Sequence, residues 1–359
     1  MSHIIDIKSI DHVTSCSTLQ HTQRIEYIDT LKGVGIFLVF LGHLHLHESN
    51  ITKYIYSFHI PLFFFISGMF FKHSDVDEGI AKFAVKKFRT RIIPYVSFGL
   101  ITYLIWLFPI LLKKYTSYRG LSPVPDNLIR PLVGMIYGND VNGWISHNYL
   151  LWFLACLVMT EFIFFIIYPF TRTIYIIPLL SIMSVIGYFD SIYLDFRLPF
   201  SLDVAFTAVV FYGLGFILNN SIFLKSVNMY AALICLIIGM LCGYINDRVD
   251  MDTMHYGNFF LFYASSISSI YAFIQISKYI PNIKLISYVG KNSLSFFLLQ
   301  NPAFLFFSML IYSISRIRVS SCEFTLAYAC GYALLSMLLL FPASYIINNK
   351  IPIITGKIN

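Results

Sequence analysis

Lys32 and His43 are the first pair in the chain whose types and spacing could do chemistry. Eleven positions at about 100° each return a helix to within about 20° of its starting direction. A rise of about 1.5 Å per residue then sets the two side chains about 16 Å apart on one stripe. A cation at one end of that stripe can anchor a phosphorylated donor. An imidazole at the other end can take the proton of an acceptor hydroxyl, since its ordinary pKa lies near neutrality. Asp29 stands one turn before Lys32 and about 40° from His43 around the wheel, so it could hold the lysine or tune the imidazole. Gly33, Gly35 and Gly42 let a neighbouring backbone or a ligand come close. A snorkelling lysine and a histidine bonded between helices would give the same spacing, so the pair alone leaves both readings open.

Further candidates flank the next apolar runs. Ser57-Phe58-His59-Ile60-Pro61 opens the second, and Pro61 read as a first-turn proline sets His59 at a helix start, level with His43. The two histidines could share a proton, or His59 could simply pack there. Lys86, Lys87, Arg89 and Arg91 precede the third run, where guanidinium forks suit phosphate and where positive residues also fix topology. Asp203 begins the sixth run near the depth of His43 and could accept an imidazole N–H; Glu161, inside the fourth, is expected to pair with another helix. His3, His12 and His21 are nine apart, and His43 and His47 lack a placed carboxylate, so no metal is expected. The six cysteines form no C-x-x-C pair and read as small hydrophobes. No serine or cysteine sits in a recognisable nucleophile motif.

The elements that must position these groups follow from composition. The 359 residues are 57% hydrophobic and only 12% charged, with mean hydropathy +0.72. Soluble domains carry about 25% charged residues, so a soluble enzyme, a disordered tail and a nucleic-acid-binding domain are excluded together. About ten apolar stretches approach the length of about 20 residues that a membrane helix needs. They lie near 31–47, 54–71, 92–112, 148–169, 173–189, 202–218, 229–245, 258–278, 293–312 and 324–347. The expected fold is all-α, a polytopic membrane bundle forming one domain over 24–348, with tails at 1–23 and 349–359. With both termini cytoplasmic, most of the 25 lysines and arginines fall inside, which sets the orientation. The polar first residues lack the pattern of a cleavable signal, so the first span is expected to act as an uncleaved anchor.

Here a resemblance enters. The run from Asp29 to His43, then His59-Ile-Pro-Leu-Phe-Phe-Phe-Ile-Ser67-Gly68, then Arg91-Ile-Ile-Pro94-Tyr95, resembles the integral-membrane acyltransferase type 3 family. Leu151-Trp152-Phe153-Leu154, Asp203-Val-Ala, Phe211-Tyr-Gly213-Leu-Gly215 and Gly290-Lys-Asn-Ser-Leu-Ser295 continue it in order, over about 29–300. It is most similar to the branch that O-acetylates sugars and surface polysaccharides. The resemblance implies acetyl-coenzyme A as cytosolic donor, a glycan or lipid-linked sugar as acceptor, and a multi-pass protein of the cytoplasmic (inner) membrane. It sets the family histidine on His43 and the basic residue, commonly arginine, on Lys32. Arg91 aligns with one of a basic pair; Phe88 stands at the other, between Lys87 and Arg89, which are kept as donor-binding candidates. His43, with Asp29 and Asp203, is the expected catalytic set, and His59, Ser67 and Trp152 are substrate-side candidates. Cys156 and Leu157 stand where some branches carry a glutamate, and Gln300 where relatives often have a histidine. No nucleic-acid partner is expected, and the oligomeric state is open. A secondary transporter or glycan translocator is the rival reading, although the two related halves common in transporters are not evident. A free-metabolite acyltransferase is a third.

Overall fold

The computed structural model describes residues 26–44, 50–111, 127–140, 143–194, 196–219, 221–315 and 324–357. The N-terminal histidines, Cys16, Cys322, His45 and His47 lie outside them. The described chain is helical throughout, with one isolated backbone bridge between Asp250 and His255. In order, the helices are α1 (26–42), α2 (Asn50–Met69), α3 (Ser74–Asp77), α4 (Ile80–Lys87), α5 (Ile93–Leu111), α6 (Arg130–Tyr137), α7 (Leu151–Ile167) and α8 (Ile176–Tyr193). There follow α9 (Leu202–Leu218), α10 (Ile222–Lys225), α11 (Met229–Ile245), α12 (Phe259–Tyr279), α13 (Lys284–Lys291), α14 (Ser293–Leu298), α15 (Gln300–Ser315) and α16 (Leu326–Lys350).

Six segments among the described residues are long and apolar enough to cross a membrane: Ile80–Phe108, Leu151–Thr171, Ile176–Tyr193, Pro199–Leu218, Phe259–Tyr279 and Leu326–Lys350. A bilayer satisfies no backbone group, so continuous helices of this kind mark a multi-pass membrane protein. The expected count of about ten exceeds these six for identifiable reasons. The helix α1, described over 17 residues, carries Glu26, Asp29 and Lys32; Lys53, His59 and Pro61 dilute α2; α11 is shorter; and the ninth expected run is broken between α14 and α15. The third run is also corrected. Its helix begins at Ile80, so Lys82 to Arg91 lie inside the helical segment, with a π-turn over Phe88–Ile92 joining α4 to α5.

The helix α7 lies at the centre, packed on α9, while α2 packs on α9 and α12, and α11 on α12. Most of the α7 span is buried (72%), against 28% for the peripheral α8. Exposed Ile177, Ile182, Phe189 and Ile192 on α8 form an apolar flank suited to lipid. Backbones come close where glycine permits it. A Cβ at Gly68 of α2 would strike the carbonyl of Tyr212 on α9, and one at Gly215 of α9 would strike that of Phe65. Gly33 of α1 and Gly290 of α13 form a second such crossing, against the Ile286 and Asp29 carbonyls.

Two prolines shape the helices that carry the polar groups. Pro61 is not in a first turn, as the sequence suggested, but in the middle of α2. It has no N–H for the carbonyl of Ser57 four residues back. The Ser266 hydroxyl of α12 donates to that carbonyl at 2.6 Å instead. In the same way Pro302 cannot serve Leu298, where α14 ends, and the Asn148 side-chain amide donates to the Leu298 carbonyl at 2.9 Å. Gly68→Val is expected to force α2 off α9 and to cost about 1–3 kcal/mol or more, as overpacking does. Thermal unfolding in detergent should show the corresponding fall in melting temperature.

Candidate active site

His43 follows the end of α1 and lines a cavity of about 360 Å³ together with Tyr56 of α2, Trp106 of α5, Tyr149 and Pro302. Its Nδ1 meets the Gln300 side-chain amide, with Nε2 at 3.1 Å and Oε1 at 3.3 Å. Gln300 also points its Nε2 at the Val39 carbonyl, 3.5 Å away. Three rings stand edge-on around the imidazole, their centroids 5.5 Å (Tyr149), 5.9 Å (Tyr56) and 6.2 Å (His59) from it. His59 is buried and donates from Nδ1 to the Ile55 carbonyl at 2.7 Å. That fixes its neutral tautomer with the lone pair on Nε2. A smaller cavity of about 60 Å³ lies between the two histidines, Trp152, Asp250 and Asp252.

The acidic members of that small cavity come from the loop after α11. Asn246 folds this loop: its amide donates to the Tyr256 carbonyl at 3.0 Å and its oxygen accepts the Asn258 N–H at 2.7 Å. Backbone bonds between Asp250 and His255 close the turn, and the Arg248 guanidinium lies 4.2 Å over the Tyr56 ring. Burial pushes the Asp252 carboxyl well above the usual range, with Asp140 and Asp250 adding repulsion. Burial likewise raises Asp140 to about 6, although it accepts the Ile145 N–H at 2.7 Å.

The basic candidates gather elsewhere. Lys87 and Arg91 both bind Glu161 of α7, through contacts of 2.7 Å from Lys87 Nζ and 3.0 Å from Arg91 Nη2 to the same oxygen. Arg91 Nε reaches the second oxygen at 3.3 Å. Glu161 thus has two helix partners, and the triad keeps one net positive charge. Lys32 is in electrostatic reach of Arg91 and Asp29, and its ammonium lies 4.7 Å over the Phe70 ring. Arg89 is exposed beside Lys82, Lys86 and Thr90 in a shallow surface depression. Neither cavity at His43 is lined by Lys32, Lys87, Arg89 or Arg91.

Asp203, expected at the depth of His43, meets other partners, and Asp29 stays beside Lys32. Asp203 binds Arg197 (Nε to Oδ2, 2.7 Å) and accepts the backbone N–H groups of Leu198 and Val204, all its local partners being in its own turn. Asp29 lies near Lys32 and 4.0 Å from Lys291, fourteen positions down the helix from His43. The neighbour of the imidazole is an amide, not an acid. Ser67 is tied to the Phe63 carbonyl at 2.8 Å and lines neither cavity, whereas Trp152 does reach the smaller one.

The acyltransferase domain family Acyl_transf_3 matches residues 25–345, almost the whole helical body. The chain belongs to this family. No curated protein and no solved structure matches it. In this acyltransferase the histidine of the expected family position lines both cavities, against the glutamine at the position noted only as a departure. Arg248, Asp250 and Asp252 escaped the sequence reading because loop charges read as topology. Trp106 and His147 escaped it because about 40 residues separate positions that fold into one wall.

Two stability measurements check the electrostatics. Glu161→Leu leaves Lys87 and Arg91 without their anion and should cost about 3–5 kcal/mol, read as a lower melting temperature in detergent. Asp140 holds a proton in the folded chain that it releases near pH 3.8 when unfolded. Its contribution is therefore full below about pH 4 and lost as pH rises through about 6. Asp140→Asn should flatten the melting temperature over that window, removing at most about 3 kcal/mol of pH dependence.

Proposed function

We propose that this acyltransferase moves an acetyl group from acetyl-coenzyme A to a hydroxyl of a cell-surface or lipid-linked glycan at the cytoplasmic membrane. The observation that carries the reading is the commitment of His43 Nδ1 to Gln300 while the ring lines a cavity. When the amide oxygen accepts the Nδ1 proton, Nε2 holds the lone pair a general base needs. The acceptor oxygen then attacks the thioester carbonyl as Nε2 takes its proton. The carbon–sulfur bond breaks, and the departing thiolate recovers that proton from His43, giving free coenzyme A and the acetyl ester. Proton and acyl group balance without an outside reagent.

The separation of the two polar regions favours a donor with a charged end and a remote reacting end. Coenzyme A carries its phosphates at one end and its thioester at the other of a long flexible arm. Lys32, the residual charge of the Lys87–Glu161–Arg91 triad and exposed Arg89 supply cations for the phosphate end. In this reading the basic end faces the cytoplasm, about ten helices cross the bilayer, and the His43 cavity faces the acceptor side. Asp29 holds Lys32, and Asp203 holds the turn at Arg197, so both act at a distance from the reacting atoms. Membership of an acyltransferase family favours this chemistry over a transporter.

His43→Ala in the purified full-length protein should reduce acetyl transfer by about 10²–10⁴-fold, the usual contribution of a placed general base. Expression and detergent melting temperature should match the parent. Transfer at the parental rate would remove His43 from the mechanism.

A further inference from the structure

The cavity at His43 is also lined by polar groups that the acyl-transfer step does not use. Trp106 of α5 is buried, and its Nε1–H has no hydrogen-bond partner among the described residues. Ser146 Oγ, in the turn before α7, is likewise buried and without a partner among them. Both line the same cavity as His43, with His147 between them. The wall is rigid. His147 packs edge-on against Tyr103 at 5.6 Å and beside Trp106 at 6.5 Å. Its neighbour Asn148 is fixed by bonds to the Leu298 carbonyl and the Thr102 hydroxyl.

Buried donors left open inside a helical bundle call for a ligand or water that pairs with them. The Trp106 N–H can only donate, while Ser146 can donate or accept. A ligand meeting both needs adjacent hydroxyl oxygens. The aromatic faces of Trp106 and Tyr149 suit the flat, C–H-bearing side of a ring. A volume near 360 Å³ lies at the low end of the small-molecule range of about 300–1,000 Å³, which suits one ring rather than a chain. We infer that Trp106, Ser146 and His147 form the acceptor-orienting wall, and that it takes a single pyranose ring by its hydroxyls. The rest of the glycan then lies outside the cavity. This assignment rests on the acyl-transfer reading above for what becomes of the ring, but not for whether the ring binds.

Saturation-transfer NMR on the full-length protein in detergent, with methyl glucopyranoside, galactopyranoside and mannopyranoside as probes, tests it without catalysis. At least one glycoside should bind with transfer concentrated on its ring protons. Trp106→Phe, which keeps the flat ring but loses the N–H, and Ser146→Ala should each weaken that binding about tenfold or more. In acetyl transfer to the same glycoside, the two variants should raise the acceptor KM by a similar factor while kcat falls less than about threefold. No binding of any glycoside, or affinities unchanged by both variants, would overturn the assignment. Transfer to a simple alkyl alcohol but to none of the glycosides would overturn it as well while leaving acyl transfer intact. Glycoside binding sensitive to Trp106, with no acetyl transfer to any acceptor, would instead uphold the wall and defeat the reaction.

Discussion

The contact between His43 Nδ1 and the Gln300 amide is the constraint on which the rest depends. A partly buried imidazole has two nitrogens, and one of them must be held if the ring is to keep a fixed orientation. The Gln300 amide holds Nδ1 while the ring lines the cavity. Gln300 can do this because it opens α15 directly after the break that ends α14. That break sits where Pro302 withdraws a donor from Leu298, and Asn148 restores the lost bond from another segment. A second proline does the same on the opposite side. Pro61 frees the Ser57 carbonyl in the helix that carries His59 and Tyr56, and Ser266 fills it. Tyr56 and His59 on α2 and Gln300 on α15 thus ride on helices whose proline defects are repaired by a neighbour's side chain.

The same economy of polar groups governs the basic end. In a bundle facing lipid, a lone cation in a helix is costly, so Lys87 and Arg91 share Glu161. Sharing leaves one positive charge instead of two, which holds α4 and the π-turn to α7 and still leaves charge for an anionic partner. Close glycine crossings, at Gly68 with Gly215 and at Gly33 with Gly290, bring α2 to α9 and α1 to α13. They set how closely the helices of His59 and of Lys32 approach their neighbours.

Much of this was legible in the sequence, and the misses share a cause. Continuous apolar runs gave the helical class, and the eleven-residue interval from Lys32 to His43 gave one helix with a cation below and an imidazole above. The position of Pro61 misled because a proline fits a first turn as well as a repaired interior. Lys82 to Arg91 looked like a loop because charge counts against a span, yet the structure runs them through α4 and a π-turn. Gln300 stood out only as a departure, since nothing local to it shows that Pro302 turns it toward α1. Asp203 was drawn toward His43 by depth alone, whereas Arg197, six residues before it, is the partner it meets. Periodicity places residues along one helix. It does not say which side chains from other segments will complete the bonds that prolines remove.

Mass analysis of the acceptor tests the central claim most directly. Membrane vesicles containing the protein, given isotopically labelled acetyl-coenzyme A and a lipid-linked glycan, should yield a glycan carrying one labelled acetyl ester per modified sugar. Free coenzyme A should appear in equal amount. A glycan that crosses or leaves the vesicle unlabelled, with the acetyl-coenzyme A intact, would contradict the account.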